Sequence, residues 1–311
     1  MFKRKSVGLA LSSGGIKGLA HIGVLKVLEE HNIPIDFIAG TSIGGIIGAL
    51  YSAEPNAKKL EKEVLDIKIN DLFDYTLSKC GFIKGNKIEQ YINKKLNNTD
   101  FKDLKTPLFL TAFDLENKRE VIFTKGNVAK AVRASISIPG IFIPVINNNR
   151  VLVDGSIVDP VPTEILKKAG ADIIIAVNAN TIKRNPPIFN EEANLKKSLK
   201  QIPHALECAL KTLEVLGSLI AEADLLHDKA DLVININVEG MILFEAKNRK
   251  ISQKIIKIGE KEAKKAISDI ENLTSPHPIK LLLEEVQKLN VDKVLKKVRE
   301  TQIARNLPKS S

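Results

Sequence analysis

A glycine-flanked serine, Gly40-Thr41-Ser42-Ile43-Gly44, constrains this chain more than any other feature, because it stands where a strand must give way to a helix. Before it, Asp36-Phe37-Ile38-Ala39 is a short apolar run; after it, Ile43 to Ala53 carries small and apolar residues at helical spacing. A serine in so sharp a turn has strained backbone angles, so the positions two before and two after it must be small. Both are glycine, and Gly45 adds clearance. The hydroxyl then stands free above the sheet edge. The helix starting at Ile43 points its unpaired N–H groups and positive dipole end at the same place, which favours an oxyanion there.

Gly-x-Ser-x-Gly also marks ordinary turns and close helix packing, so it decides nothing alone. A second glycine loop supplies the context. Ser12-Ser13-Gly14-Gly15-Ile16-Lys17-Gly18 follows the apolar run Val7 to Leu11 and opens a helix through Leu19, Ile22, Leu25, Val27 and Leu28. Adjacent glycines let main-chain N–H groups face an anion without obstruction. The two turns are expected side by side at the carboxyl ends of neighbouring parallel strands, where open α/β sheets bind ligands. Nucleotide sites fit poorly. A dinucleotide fingerprint wants glycine at position 13, which is serine, and an acid at the far end of the second strand, whereas Asp36 stands at its start. A Walker loop needs a hydroxyl residue after Lys17, where Gly18 stands.

An α/β-hydrolase orders its triad as serine, acid, histidine and has several strands before its nucleophile. Here only one strand and one helix precede the strand of Ser42. His21 and His31 fall on or beside the first helix, His204 and His227 in or near a long helical stretch, and His277 in a proline-flanked linker. Each reads as a helix-surface or core histidine. Another base is on offer: Arg150 to Ser156 is a strand running into a turn, with Asp154 at the strand end, within reach of a neighbouring active-site turn. Aspartate before glycine is also common turn chemistry.

Taken in order, Gly14-Gly15-Ile16-Lys17-Gly18, Gly40-Thr41-Ser42-Ile43-Gly44, Arg133-Ala134-Ser135-Ile136-Ser137-Ile138-Pro139 and Asp154-Gly155 resemble the patatin-like phospholipases over about residues 6–240. The resemblance implies a Ser/Asp dyad without histidine. Ser42 would attack an acyl ester carbonyl, Asp154 would take its proton and later activate water, and the N–H groups of Gly14, Gly15 and Ile16 would form the oxyanion hole. It implies phospholipid or lysophospholipid substrates and no metal or organic cofactor. Two positions depart from the family pattern: Ser13 replaces a loop glycine, where it would crowd the turn, and Ser156 follows Asp154-Gly155 where glycine or alanine is usual. Two alternatives stand beside this reading, a Ser/His/Asp carboxylesterase and a catalytically silent lipid-binding protein on the same fold.

The remaining chain alternates strands and helices, which indicates a three-layer α/β/α fold with a mostly parallel central sheet. Helices are expected over Ala57 to Asn70, Lys87 to Leu96, Val128 to Ile136, Pro160 to Lys168, most of Asn194 to Asp228, and Arg249 to Leu273. Strands are expected over Leu108 to Phe113, Glu120 to Phe123, Asp172 to Val177 and Leu232 to Val238. The apolar segment from Leu72 to Gly85 is either core packing around a helical insertion or a mobile cover admitting acyl chains. Thr274-Ser275-Pro276-His277-Pro278 breaks the chain into a hydrolase domain, 1–273, and a helical C-terminal appendage, 274–311.

Composition narrows the class. With 44% hydrophobic residues the 311-residue chain can fill a large core. The cations Lys3 to Lys5 ahead of Val7 to Leu11 imitate a signal peptide, but that apolar run is too short. No stretch reaches the length of a membrane span. Two cysteines without metal or redox spacing suit a reduced, cytoplasmic compartment and no disulfide. The net charge of +10 comes from lysines spread over nearly every helix, with few aromatics and no tryptophan. That pattern argues against nucleic acid and is compatible with peripheral contact at an anionic membrane surface. No acidic loop is present to hold calcium.

Overall fold

The computed structural model describes residues 4–147, 149–181, 204–226, 230–238 and 248–274. Strand β1 (Val7–Leu11) leads through a 3-10 turn, Gly15–Leu19, into α1 (Ala20–Glu30), and β2 (Phe37–Thr41) leads into α2 (Ile43–Ala53). Then come α3 (Ala57–Leu65), the hairpin β3 (Tyr75–Ser78) and β4 (Gly81–Ile83), α4 (Asn86–Lys95), β5 (Leu108–Asp114), β6 (Arg119–Phe123) and α5 (Val128–Ser135). They are followed by β7 (Gly140–Phe142), β8 (Val145–Asn147), β9 (Arg150–Asp154), α6 (Thr163–Lys168), β10 (Ile173–Asn178), α7 (His204–Leu226), β11 (Leu232–Asn235) and α8 (Arg249–Thr274).

The central sheet runs β11-β10-β1-β2-β5-β9-β8, with β6 also on β5. From β11 to β5 every pairing is parallel, whereas β6, β8 and β9 pair antiparallel. Alternation along β1 and its neighbours builds three layers. Leu9, Leu11, Ile38 and Ile175 face α1, α2 and α8, while Ala10, Ala39, Ile174 and Ala176 face α6 and α7. Helices α1 and α8 touch backbone to backbone. A Cβ on Gly23 would sit 2.0 Å from the Ile256 carbonyl oxygen, and one on Gly259 would sit 2.0 Å from that of Ala20.

Two helix bounds differ from expectation, and other segments take a form the sequence left open. The helix starting at Ala57 stops at Leu65, and a 3-10 turn at Ile69–Leu72 follows. The Leu72 to Gly85 segment is a hairpin, and with β7 it makes a second sheet of order β3-β4-β7. The helix expected from Pro160 starts at Thr163 because Pro162 takes the N-cap position. Residues 275–311, His227 and His277 lie outside the described residues, and so does the side chain of His204. Both cysteines are free and exposed. No helix among the described residues is long and apolar enough to cross a membrane.

Candidate active site

Ser42 caps α2 with φ 56° and ψ −121°, a conformation that costs a non-glycine residue roughly 1–3 kcal/mol. Its surroundings hold it there. The Ser42 N–H donates to Ser135 Oγ at 2.9 Å, a hydroxyl presented by the last residue of α5. No side chain fits at the flanking glycines: a Cβ on Gly40 would lie 2.6 Å from the Gly44 carbonyl oxygen, and one on Gly44 would lie 2.1 Å from that of Leu11. Gly45 is under less constraint, its Cβ meeting the Leu110 side chain at 3.1 Å, with Ser135 Oγ at 3.4 Å and the Gly40 carbonyl oxygen at 3.5 Å in ordinary contact.

Asp154 ends β9 and is 1% exposed. Its Oδ2 accepts the Ser42 hydroxyl at 2.6 Å and its Oδ1 accepts the Ser156 N–H at 2.9 Å. The Asp154 N–H donates to the Ser137 carbonyl at 3.0 Å. Burial pushes the carboxyl up to about 6, against the opposing pull of hydrogen bonds from Ser42 and Ser156. Ser156 contributes through its side chain as well as its N–H, which glycine or alanine could not do.

Neither histidine with a described side chain touches this pair. His21 is fully buried, with Nε2 2.9 Å from the Ser12 carbonyl. Burial lowers it to about 4, so the ring is neutral, and facing a carbonyl its Nε2 must carry the proton. His31 Nδ1 lies 2.8 Å from Glu271 at the other end of α1.

The glycine loop is built around positive φ at Gly14 (143°) and Gly15 (56°). Gly15 and Ile16 open the 3-10 turn, so their N–H groups have no acceptor within it, and both residues line one cavity with Ser42. Gly14 lies outside that lining and packs against Ala179, which a Cβ would approach to 3.1 Å. Ser13 does not crowd the turn. It is buried, its Oγ accepts from Asn180 Nδ2 at 2.7 Å, and its N–H donates to the Pro160 carbonyl at 2.9 Å. Lys17 is buried too and reaches Glu214 of α7 at 2.8 Å, tying the loop to that helix.

The cavity holds about 250 Å³ and is walled largely by apolar side chains, among them Ile46, Leu50, Phe73, Ile83, Ile138 and Phe142. The hairpin residues Phe73 and Ile83 are therefore wall as well as packing. Arg249 and Ser252 of α8 also line it, which no local sequence signal announced. Arg133 braces the same region from within α5, donating to the carbonyls of Ile143 (2.7 Å) and Lys84 and to Ser137 Oγ (2.7 Å). The Arg133–Ser135 stretch gave no sign of these tasks in the sequence, where Lys130 and Arg133 of α5 look alike; only the fold buries the second and leaves the first exposed. Among the described residues no three histidine, cysteine or acidic side chains cluster as metal ligands would.

The Gly-x-Ser-x-Gly turn at the end of the second strand of this three-layer α/β fold thus sets a serine hydroxyl against a buried carboxylate beside an apolar cavity. The chain belongs to the patatin-like phospholipase family, whose family model matches residues 9–167. It is 36% identical over 190 residues to the lysophospholipase NTE1 of Coccidioides immitis, across 59% of this chain and 12% of that protein. It is 33% identical over 195 residues to the lysophospholipase NTE1 of Candida albicans, across 60% of this chain and 14% of that protein. The chain thus spans only a small part of those relatives. Among solved structures, VipD from Legionella pneumophila is similar in fold, with a TM-score of 0.53 and 13% identity over 86% of this chain and 67% of that one.

Proposed function

We propose that the protein hydrolyses the acyl ester of a phospholipid or lysophospholipid through an acyl-enzyme at Ser42. The observation that carries this reading is the 2.6 Å contact between Ser42 Oγ and Asp154 Oδ2 at the wall of an apolar cavity. A hydroxyl is a weak nucleophile at neutral pH unless a base takes its proton as it attacks. Asp154 is in place to do so, and its raised pKa brings it nearer the working pH than an ordinary carboxylate.

In the first half-reaction Ser42 Oγ bonds to the ester carbonyl carbon while its proton passes to Asp154. The carbonyl oxygen becomes an oxyanion facing the N–H groups of Gly15 and Ile16, the two loop residues that line the cavity with Ser42. Collapse breaks the ester C–O bond, and the departing alkoxide takes the proton from Asp154. In the second half, water gives a proton to Asp154 and its hydroxide adds to the acyl carbon. Collapse then returns Ser42 Oγ, reprotonated by Asp154, and frees the fatty acid. No group beyond these residues and water is required for the proton balance. The apolar cavity takes the acyl chain, and the relatives' description as lysophospholipases favours a single-chain lipid.

The test is fatty-acid release from lysophosphatidylcholine. Wild type should release it and Ser42→Ala should not, with both proteins melting alike. Equal release by both would refute the reading.

A further inference from the structure

The outer face of α8 carries an uninterrupted row of lysines. Lys250, Lys254, Lys257, Lys261 and Lys264 follow one another at alternating steps of four and three. At helical pitch they fall on one narrow stripe, about 21 Å long. All five are exposed, and none is in an ion pair with another described residue. The opposite face, with Ile255, Ile256, Gly259 and Ala263, is buried against α1. Three of the four acids on α8 are engaged by groups off the stripe: Glu260 holds Lys26, Glu262 holds Lys265, and Glu271 holds His31; the fourth, Asp269, lies past the last stripe lysine.

Like charges one turn apart destabilise a helix, and the ordinary remedy is an acid at every third or fourth position. Along the stripe only Glu260 stands in such a position, three residues after Lys257 and four before Lys264, and it is engaged by Lys26 of α1. Such a surface gains free energy when it meets a fixed array of negative charge. Two classes of partner present one, a polynucleotide and an anionic bilayer. The neighbourhood favours the bilayer. Helix α8 enters the cavity wall through Arg249, one residue before the stripe begins. On the same cavity, the β3–β4 hairpin that contributes Phe73 and Ile83 carries Tyr75, Leu77 and Phe82 into solvent. Exposed apolar side chains suit a lipid interface and have no place on a phosphate backbone.

We propose that the lysine face of α8 docks the protein on an anionic bilayer, with Arg249 leading from that contact into the cavity. The choice of a lipid partner rests on the reading of the cavity as a lipid site. The docking itself does not require the Ser42 chemistry, so the two can fail separately.

The experiment is sedimentation of the full chain with vesicles of phosphatidylcholine, alone or mixed with phosphatidylglycerol. Each lysine near an anionic surface is worth about a fivefold change in partition. Replacing the five by glutamine should therefore lower binding to the mixed vesicles by at least about tenfold. Replacing the exposed Lys102, Lys118, Lys125, Lys130 and Lys167 instead should leave it near wild type, which separates the stripe from net charge. Ser42→Ala should bind as wild type does, and the stripe variant should hydrolyse a soluble short-chain ester at the wild-type rate. Added salt should weaken wild-type binding. Equal losses in the two lysine variants would overturn the proposal. So would equal wild-type binding to neutral and mixed vesicles, or binding to duplex DNA or RNA with none to vesicles.

Discussion

Thr41 and Asp154 end their strands on neighbouring positions of one edge of β5, opposite Thr111 and Ala112 respectively. Strand β2 runs parallel to β5 and β9 runs antiparallel to it, so the two approach along that edge and stop head to head. Successive strand residues rise only about 3.3 Å. Ser42 and Asp154 therefore meet although 112 residues separate them in the chain. Thr41 seals the junction, its hydroxyl 2.8 Å from that of Thr111 and 2.8 Å from the Asp159 carbonyl. The contact is held by sheet register rather than by a loop.

The raised carboxyl of Asp154 sets a pH profile. A base must be ionised before it can take the Ser42 proton, so kcat/KM for a soluble ester should climb with pH through about 6 and level off above it. Below that it should fall about tenfold per pH unit. Initial rates across pH 4.5 to 8 measure this, and a rate that is flat or rises toward acid would be inconsistent with Asp154 as the base.

The same group gives a stability signature of opposite sign to the usual acid. Its folded value, about 6, lies above its ordinary 3.8, so the folded protein holds this proton more tightly than the unfolded chain. The stability it adds is complete below the ordinary value and is lost as pH rises through about 6. Asp154→Asn removes that dependence. Relative to wild type, the variant should gain roughly 2–3 kcal/mol between pH 4 and pH 7, whatever the offset between them. Melting temperatures of the two proteins across that range decide it; a constant difference would mean that burial does not penalise the Asp154 charge.

Ser135→Ala leaves the Ser42 N–H buried without an acceptor. A loss of about 1–3 kcal/mol is expected, together with a fall in kcat, because the strained serine loses its brace. Calorimetry with steady-state kinetics reads both. Unchanged stability and rate would show that the turn holds itself.

Gly44→Ala and Gly45→Ala should part sharply. The first drives a Cβ to 2.1 Å from a backbone oxygen of β1, which cannot move without the sheet, so soluble folded protein should be lost. The second meets a leucine methyl at 3.1 Å, and a rotation of that side chain relieves it. Expression yield and circular dichroism of the pair test the distinction.

The two residues of the Ser42–Asp154 contact were legible in the sequence because each depends on local chemistry: a serine between glycines at a strand end, and an aspartate before Gly155. Helix α2 was legible to the residue, since small and apolar side chains keep helical spacing from Ile43 to Ala53. What the sequence hid is tertiary. Strands of three or four residues, such as Gly81–Ile83 and Gly140–Phe142, are too short for a period to show, and their pairing joins segments far apart. Periodicity reports that β9 is a strand but not that it runs against β5. Nor does it foretell that Arg249 and Ser252 complete a cavity begun at Gly15. The substitution at Ser13 looked like an intrusion because its partner, Asn180, comes from the end of β10.

The most direct test of the Ser42–Asp154 pair is single-turnover acylation by a fluorophosphonate probe in wild type, Ser42→Ala and Asp154→Asn. Wild type should label at Ser42, Ser42→Ala should not label, and Asp154→Asn should fold yet label at least about a hundredfold more slowly. Labelling of Asp154→Asn at the wild-type rate would show that another base activates the serine.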